Sequence, residues 1–154
     1  MGKKLVLVET DVEKLHQPSH EVNLGDVNLV NSIDAALRNT YKKMDGKMQG
    51  LAAIQVGYAY KAMLLRFVRG EEPIVVYNPG LIFSFGKKKS NEGCMSEGDD
   101  RYIVTRPRLI KVFYYTKYKE KKVEWMTYKK ARIFMHEYDH LFGILLQDHG
   151  ILVE

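Results

Sequence analysis

The chain has 154 residues, 45% hydrophobic and 28% charged, with a net charge of +5. This composition excludes a disordered or fibrous protein and fits one globular domain, residues 1–154, large enough to bury roughly 70% of the surface its unfolded chain exposes. No apolar run approaches the ~20 residues needed to cross a membrane, and the stretch from Leu5 to Val8 is too short for a secretory signal, so a cytoplasmic location is expected.

Apolar residues at Val27, Val30, Ile33, Leu37, Tyr41 and Met44 recur at helical spacing and predict a helix over 24–44, ending near Gly46. Strands are expected over 52–56, 62–68, 74–77 and 81–85, with Asn78-Pro79-Gly80 turning the chain between the last two. Segments 109–118 and 123–126 predict a hairpin with a charged loop at 119–122. Thr127 is placed to cap a second long helix that Gly143 ends. One helix among mostly antiparallel strands makes an α+β fold.

That second helix carries His136-Glu137-Tyr138-Asp139-His140, which reads H-E-x-x-H. Two histidines four apart lie about 40° apart around an α-helix, one turn above each other, so both imidazoles reach one metal ion. Glu137 is better placed to handle protons than to ligate, the arrangement expected for metal-assisted hydrolysis. A catalytic site takes three protein ligands and keeps one position open. The longer pattern H-E-x-x-H-x-x-G-x-x-H fails here: Gly143 fits, but Leu146 cannot coordinate, and the single late glutamate is Glu154. The third ligand is therefore expected upstream.

Upstream, Cys94 is the sole cysteine. It rules out an intramolecular disulfide, suits a reducing compartment and, as a thiolate, is a strong ligand for zinc or ferrous iron. The plain alternative is an inert buried side chain; Gly93 and Ser96 beside it favour a polar loop or strand end. Gly50-Leu51-Ala52-Ala53-Ile54-Gln55 lets backbone approach a ligand closely and ends in an amide donor, although such runs are also common in packed helices and strands.

Together and in this order, GLAAIQ, EGCMS and HEYDHLFG resemble the three signature motifs of the peptide deformylases, over about Leu5 to Asp148. The resemblance implies antiparallel sheets packed around a central metal-binding helix, and hydrolysis of the N-formyl group from the initiator formyl-methionine of nascent polypeptides. It implies that Cys94, His136 and His140 bind one divalent ion, Fe2+ natively, with Zn2+, Ni2+ or Co2+ as alternatives. Glu137 would act as general base and then general acid, and Gln55 with the backbone N–H of Met95 would polarise the formyl oxygen. Gly50, Gly93 and Arg101 would meet the peptide, and Arg106 also falls where the family has an arginine. The family's first motif usually begins Gly-x-Gly, whereas this chain has Met48-Gln49-Gly50, a larger residue beside the substrate cleft. The 14 residues after His140 resemble short forms without the C-terminal helix of many bacterial members.

On the second helix, Ile133, Phe134 and Tyr138 are expected to cover the core while His136 and His140 face the cleft. Ile133, nearly one turn before His136, would wall a methionine-sized pocket. Asp139 either orients a histidine or forms a salt bridge. His16, His20 and His149 are expected at the surface. Lys87-Lys88-Lys89 and the cluster from Lys117 to Lys122 are candidates for transient ribosome contact, against the plain reading of solvated loops. No nucleotide is expected, because Gly86-Lys87-Lys88-Lys89-Ser90 departs from a phosphate loop: Gly80 is one residue too distant and Lys88 takes the Ser/Thr position. Two rival readings are a metallopeptidase, which lacks its downstream ligand, and a non-catalytic metal-bound peptide-binding module, which would prefer four protein ligands and need no Glu137.

Overall fold

The computed structural model describes residues 9–45 and 47–154; the apolar run Leu5 to Val8 and the expected helix stop at Gly46 lie outside them. The described helices are α1 (Val12–Leu15), α2 (Val27–Lys43), α3 (Tyr128–Leu141) and α4 (Leu146–His149). The strands are β1 (Gly50–Ala52), β2 (Ala62–Leu65), β3 (Ile74–Phe85), β4 (Lys88–Gly93), β5 (Arg101–Arg106), β6 (Leu109–Tyr115), β7 (Lys121–Thr127) and β8 (Ile151–Leu152). Two antiparallel sheets form, one in the order β1-β2-β3-β6-β7 and one in the order β4-β5-β8. This is the α+β architecture expected from the sequence, with α3 packed against strands of both sheets.

The larger sheet is apolar on both faces over its first three strands. One face packs Met63, Leu65, Val76, Ile110, Val112 and Met126 against Ile133, Phe134 and Leu141 of α3. The other packs Leu64, Val75 and Tyr77 against Val30, Ile33 and Leu37 of α2. Ile33 and Leu37 are fully buried, and each contributes roughly 1.5–3 kcal/mol. Helix α2 starts three residues later than its apolar stripe suggests, because the Asp26 side chain accepts from the Leu29 N–H at 3.1 Å and caps it there.

Two expected elements differ in kind, and the strand expected over 62–68 ends at Leu65. The strand expected over 52–56 stops at Ala52, where residues Ala53–Val56 form a 3-10 turn closed by Gly57 at φ +94. The Gln55 Oε1 accepts from the Ala52 N–H at 2.8 Å and draws the chain out of the extended conformation. Asn78-Pro79-Gly80 is a bulge inside one long strand rather than a turn. The Asn78 side chain is held by both backbone groups of Val22, at 2.8 and 2.9 Å, and the Phe113 ring lies where a Cβ on Gly80 would stand. The expected hairpin forms as β6 and β7. Strands β4, β5 and β8 carry no clean alternation of apolar residues and were not foreseen.

Candidate active site

Helix α3 sets the site. Thr127 occupies its N-cap position with extended backbone, but its hydroxyl makes no capping bond. Gly143 follows the helix at φ +72, and a Cβ there would collide with the backbone of His16, so only glycine turns the chain at this point. Phe134 stacks on Tyr138, whose hydroxyl accepts from the Leu81 N–H at 3.2 Å, which locks the helix rotation against the larger sheet. That rotation turns His136 and His140 toward Cys94, which follows β4 directly and precedes a short 3-10 turn, Met95–Glu97.

The structure brings Cys94, His136 and His140 together: one donor atom from each lies within 4.8 Å of the others. Cys94 Sγ and His140 Nε2 are 3.5 Å apart. A sulfur and a nitrogen held about 2.3 and 2.0 Å from one tetrahedral ion would stand at about that spacing. The donor set is one thiolate and two imidazoles, as zinc or ferrous iron prefers. The residues therefore fit a metal ion.

The ring of His136 is held from behind. Its Nδ1 lies 2.9 Å from Glu92 Oε1, which leaves Nε2 for the site. Glu92 in turn takes both the Nε and one terminal nitrogen of Arg106 at 3.0 and 2.7 Å, and the other terminal nitrogen donates to Asp139 at 2.6 Å. Burial would raise the Glu92 carboxyl, but hydrogen bonds from His136 and Arg106 outweigh it and hold the group well below the usual carboxylate range. Burial would likewise lower His136, yet the charge of Glu137 and the contacts with Cys94 and Glu92 raise it well above an ordinary histidine. His140 has no such carboxylate, and burial, then the charge of His136, pushes it down to about 3. Asp139 thus serves a salt bridge and, among the described residues, its side chain forms no hydrogen bond or ion pair with His136 or His140. Glu92 was missed, although a signal existed: it lies two residues before Cys94, on the same side of an extended segment.

Glu137 is 5% exposed, and its Oε1 has no hydrogen-bond partner among the described residues. Burial pushes its carboxyl up to about 7, partly offset by the charge of His136. A Cβ on Gly50 would come within 2.6 Å of Glu137 Oε2, so β1 approaches the carboxylate through the one residue that leaves room for it. Beside it, Gln55 Nε2 donates to Ser96 Oγ at 3.0 Å and lies 3.6 Å from Cys94 Sγ.

These groups line a cavity of about 340 Å³. Its walls include Gly50, Gln55, Gly93, Cys94, Met95, Arg101, Ile133, His136 and Glu137, every expected site residue except His140, which is 2% exposed and sits behind the others. Met48 also lines it and packs into the α2 cluster, so the larger residue of the first motif forms part of the wall. Arg101 is exposed and reaches back to Asn91, with its guanidinium over Gly93. His16, His20 and His149 are exposed, as expected.

Comparison with known proteins gives the family. The sequence model of the polypeptide deformylase family matches residues 4–152. The chain belongs to the peptide deformylases. It is 33% identical to the peptide deformylase of Zymomonas mobilis over 94% of this chain and 85% of that one. A match of 42% identity to the enzyme of Lachnoclostridium phytofermentans spans 62% of this chain and 60% of that protein. The crystal structure of the peptide deformylase from Thermotoga maritima superposes with a TM-score of 0.84 and 28% identity, over 96% of this chain and 98% of that one. This deformylase is a metallohydrolase that removes the N-formyl group from the methionine of nascent peptides, with one bound metal ion. Among the described residues, no helix is long and apolar enough to cross a membrane.

Proposed function

We propose that Cys94, His136 and His140 hold the ion, natively Fe2+, and that Glu137 carries the protons of formamide hydrolysis. The observation that carries this reading is the 3.5 Å approach of the Cys94 sulfur to His140, with the partnerless carboxylate oxygen of Glu137 one residue from His136. When bound, the ion supplies an acidified water, whose pKa falls from 15.7 toward roughly 7, and a Lewis acid for the formyl oxygen. Glu137 takes the proton released as water attacks the formyl carbon. It returns that proton to the departing amine, which leaves poorly unless protonated. Gln55 Nε2 and the Met95 N–H donate to the developing oxyanion, and losing one such donor typically costs about 2.7–4 kcal/mol of barrier.

Ile133 walls the methionine side chain, and the backbones of Gly50 and Gly93 pair with the peptide, with Arg101 beside its onward path. Thiolate and imidazole donors favour Fe2+ and Zn2+ over harder ions, with Ni2+ and Co2+ as functional substitutes. The enzyme works where translation occurs, in the cytoplasm, and its basic character supports a transient contact with the ribosome. Metal content and formate release measured on one preparation test the assignment. Glu137→Gln is expected to keep the ion and lose turnover by about 10²–10⁴-fold, as removal of a general base does; undiminished formate release would remove Glu137 from the role.

A further inference from the structure

Part of the larger sheet has an outer face that α2 does not reach. In β6 and β7 the outward positions alternate with buried Ile110, Val112 and Met126, and the register brings Phe83, Lys111 and Trp125 into one row across three strands. Phe83 and Trp125 stand edge to face with ring centroids 5.9 Å apart. The ammonium of Lys111 lies 5.2 Å over the Trp125 ring, and that of Lys121 lies 4.9 Å over Phe113. Phe83, Phe85 and Trp125 are 45%, 68% and 54% exposed. A cluster of aromatic rings left in water is a mark of binding.

The strands of this face turn no carboxylate outward, and Glu21 stands only at its edge, beside Phe113 and Tyr115. Strands β3 and β6 contain no acidic residue, and Glu124 of β7 points the other way, where Tyr114 and Lys130 engage it. We propose that this face docks single-stranded RNA of the ribosome that presents the nascent substrate. The proposal deepens the ribosome contact suggested above and rests on it. Exposed rings on a sheet stack bases with little regard to sequence, while neighbouring lysines neutralise phosphates. The rings lie in the plane of a sheet rather than on an amphipathic helix able to sink into lipid. A second copy is disfavoured because the edge strand β7 carries Lys121 and Lys122.

Trp125 is the only tryptophan of the chain, so its fluorescence reports on this face directly. Titration with a mixed-sequence oligoribonucleotide of about 12 nucleotides, the length one such platform can cover, is expected to give a saturable quench that weakens with salt. Phe83→Ala is expected to weaken binding about 10-fold. Lys111→Gln combined with Lys121→Gln is expected to flatten the plot of log affinity against log salt by about 1.4, two phosphate contacts at roughly 0.7 each. Absence of a quench at low salt overturns the proposal. So does a quench by phosphatidylglycerol vesicles without a response to RNA, or a self-association in sedimentation that hides Trp125. Ribosome co-sedimentation that persists in these variants would keep the ribosome reading while removing this face from it. Formate release from a free formyl-Met tripeptide is expected to be unchanged in them; RNA binding by a chain without that activity would sink the deformylation chemistry and leave this surface standing.

Discussion

The wall that β1 and the following 3-10 turn bring to the cavity is neutral and tightly packed, whereas the wall from β4 and β5 carries a thiol, a guanidinium and a buried carboxylate. On the first wall, Leu51, Ala52 and Ala53 are essentially without solvent exposure, and Gly50 touches Glu137 with nothing to spare. On the second, Glu92 and Arg106 are each 4% exposed and satisfy one another together with His136 and Asp139. Packing fixes where the Glu137 carboxylate stands, and electrostatics fixes where the ring of His136, a proposed ligand, stands. Damage to the two walls should therefore show in different measurements.

The largest effect is expected at Cys94. Cys94→Ala removes one of the three proposed ligands, so the purified protein should lose both its ion and its formate release; a full complement of metal by elemental analysis would sink the ligand assignment. Next comes Gly50→Ala on the neutral wall. The new Cβ would press on the Glu137 carboxylate, and misplacement of a reacting group by about 1 Å can cost about 10²-fold in rate. Here kcat should fall while metal content holds, and a parallel loss of metal would erase the distinction between the walls. Glu92→Gln addresses the charged wall through the ring it orients. Loss of such an outer partner typically weakens metal affinity 10–100-fold, measurable by competition with a chelating dye, with kcat of the fully loaded enzyme less affected. An unchanged affinity would show that His136 needs no help from behind.

The smallest effect sharpens the comparison through pH. Burial pushes the Glu137 carboxyl up to about 7, and a cation held by its neighbours favours the charged form and pulls it back down. As the proposed base, Glu137 acts only when deprotonated, so kcat/KM should fall as pH drops through its pKa, with the acid limb below pH 7. An acid limb above that value would mean that another group controls the rate.

Much of the cavity was legible in the chain because its chemistry is written in residue types with fixed local spacing. His136 and His140 at four apart, Glu137 between them and the small residues before Gln55 each follow from the geometry of one element. Glu92 and Arg106 were not legible as a pair, since a guanidinium 14 residues from its carboxylate finds it only through the antiparallel pairing of β4 with β5. The polar strand β4, Lys88-Lys89-Ser90-Asn91-Glu92-Gly93, has almost no strand propensity of its own and exists because β5 pairs with it along its whole length. The bulge at Asn78-Pro79-Gly80 has the composition of a turn. Contacts from Val22 and Phe113, distant in sequence, carry it straight through.

Local order therefore settled the α2 stripe, the hairpin of β6 and β7 and the helix bearing two imidazoles, because each depends on residues within a turn or two of one another. Tertiary structure alone decided that a sulfur 42 positions before His136 would meet those rings, that Glu92 rather than Asp139 would steady one of them, and that β6 and β7 would keep a bare aromatic face. Such pairings depend on which strand lies beside which, a property of the whole packed chain.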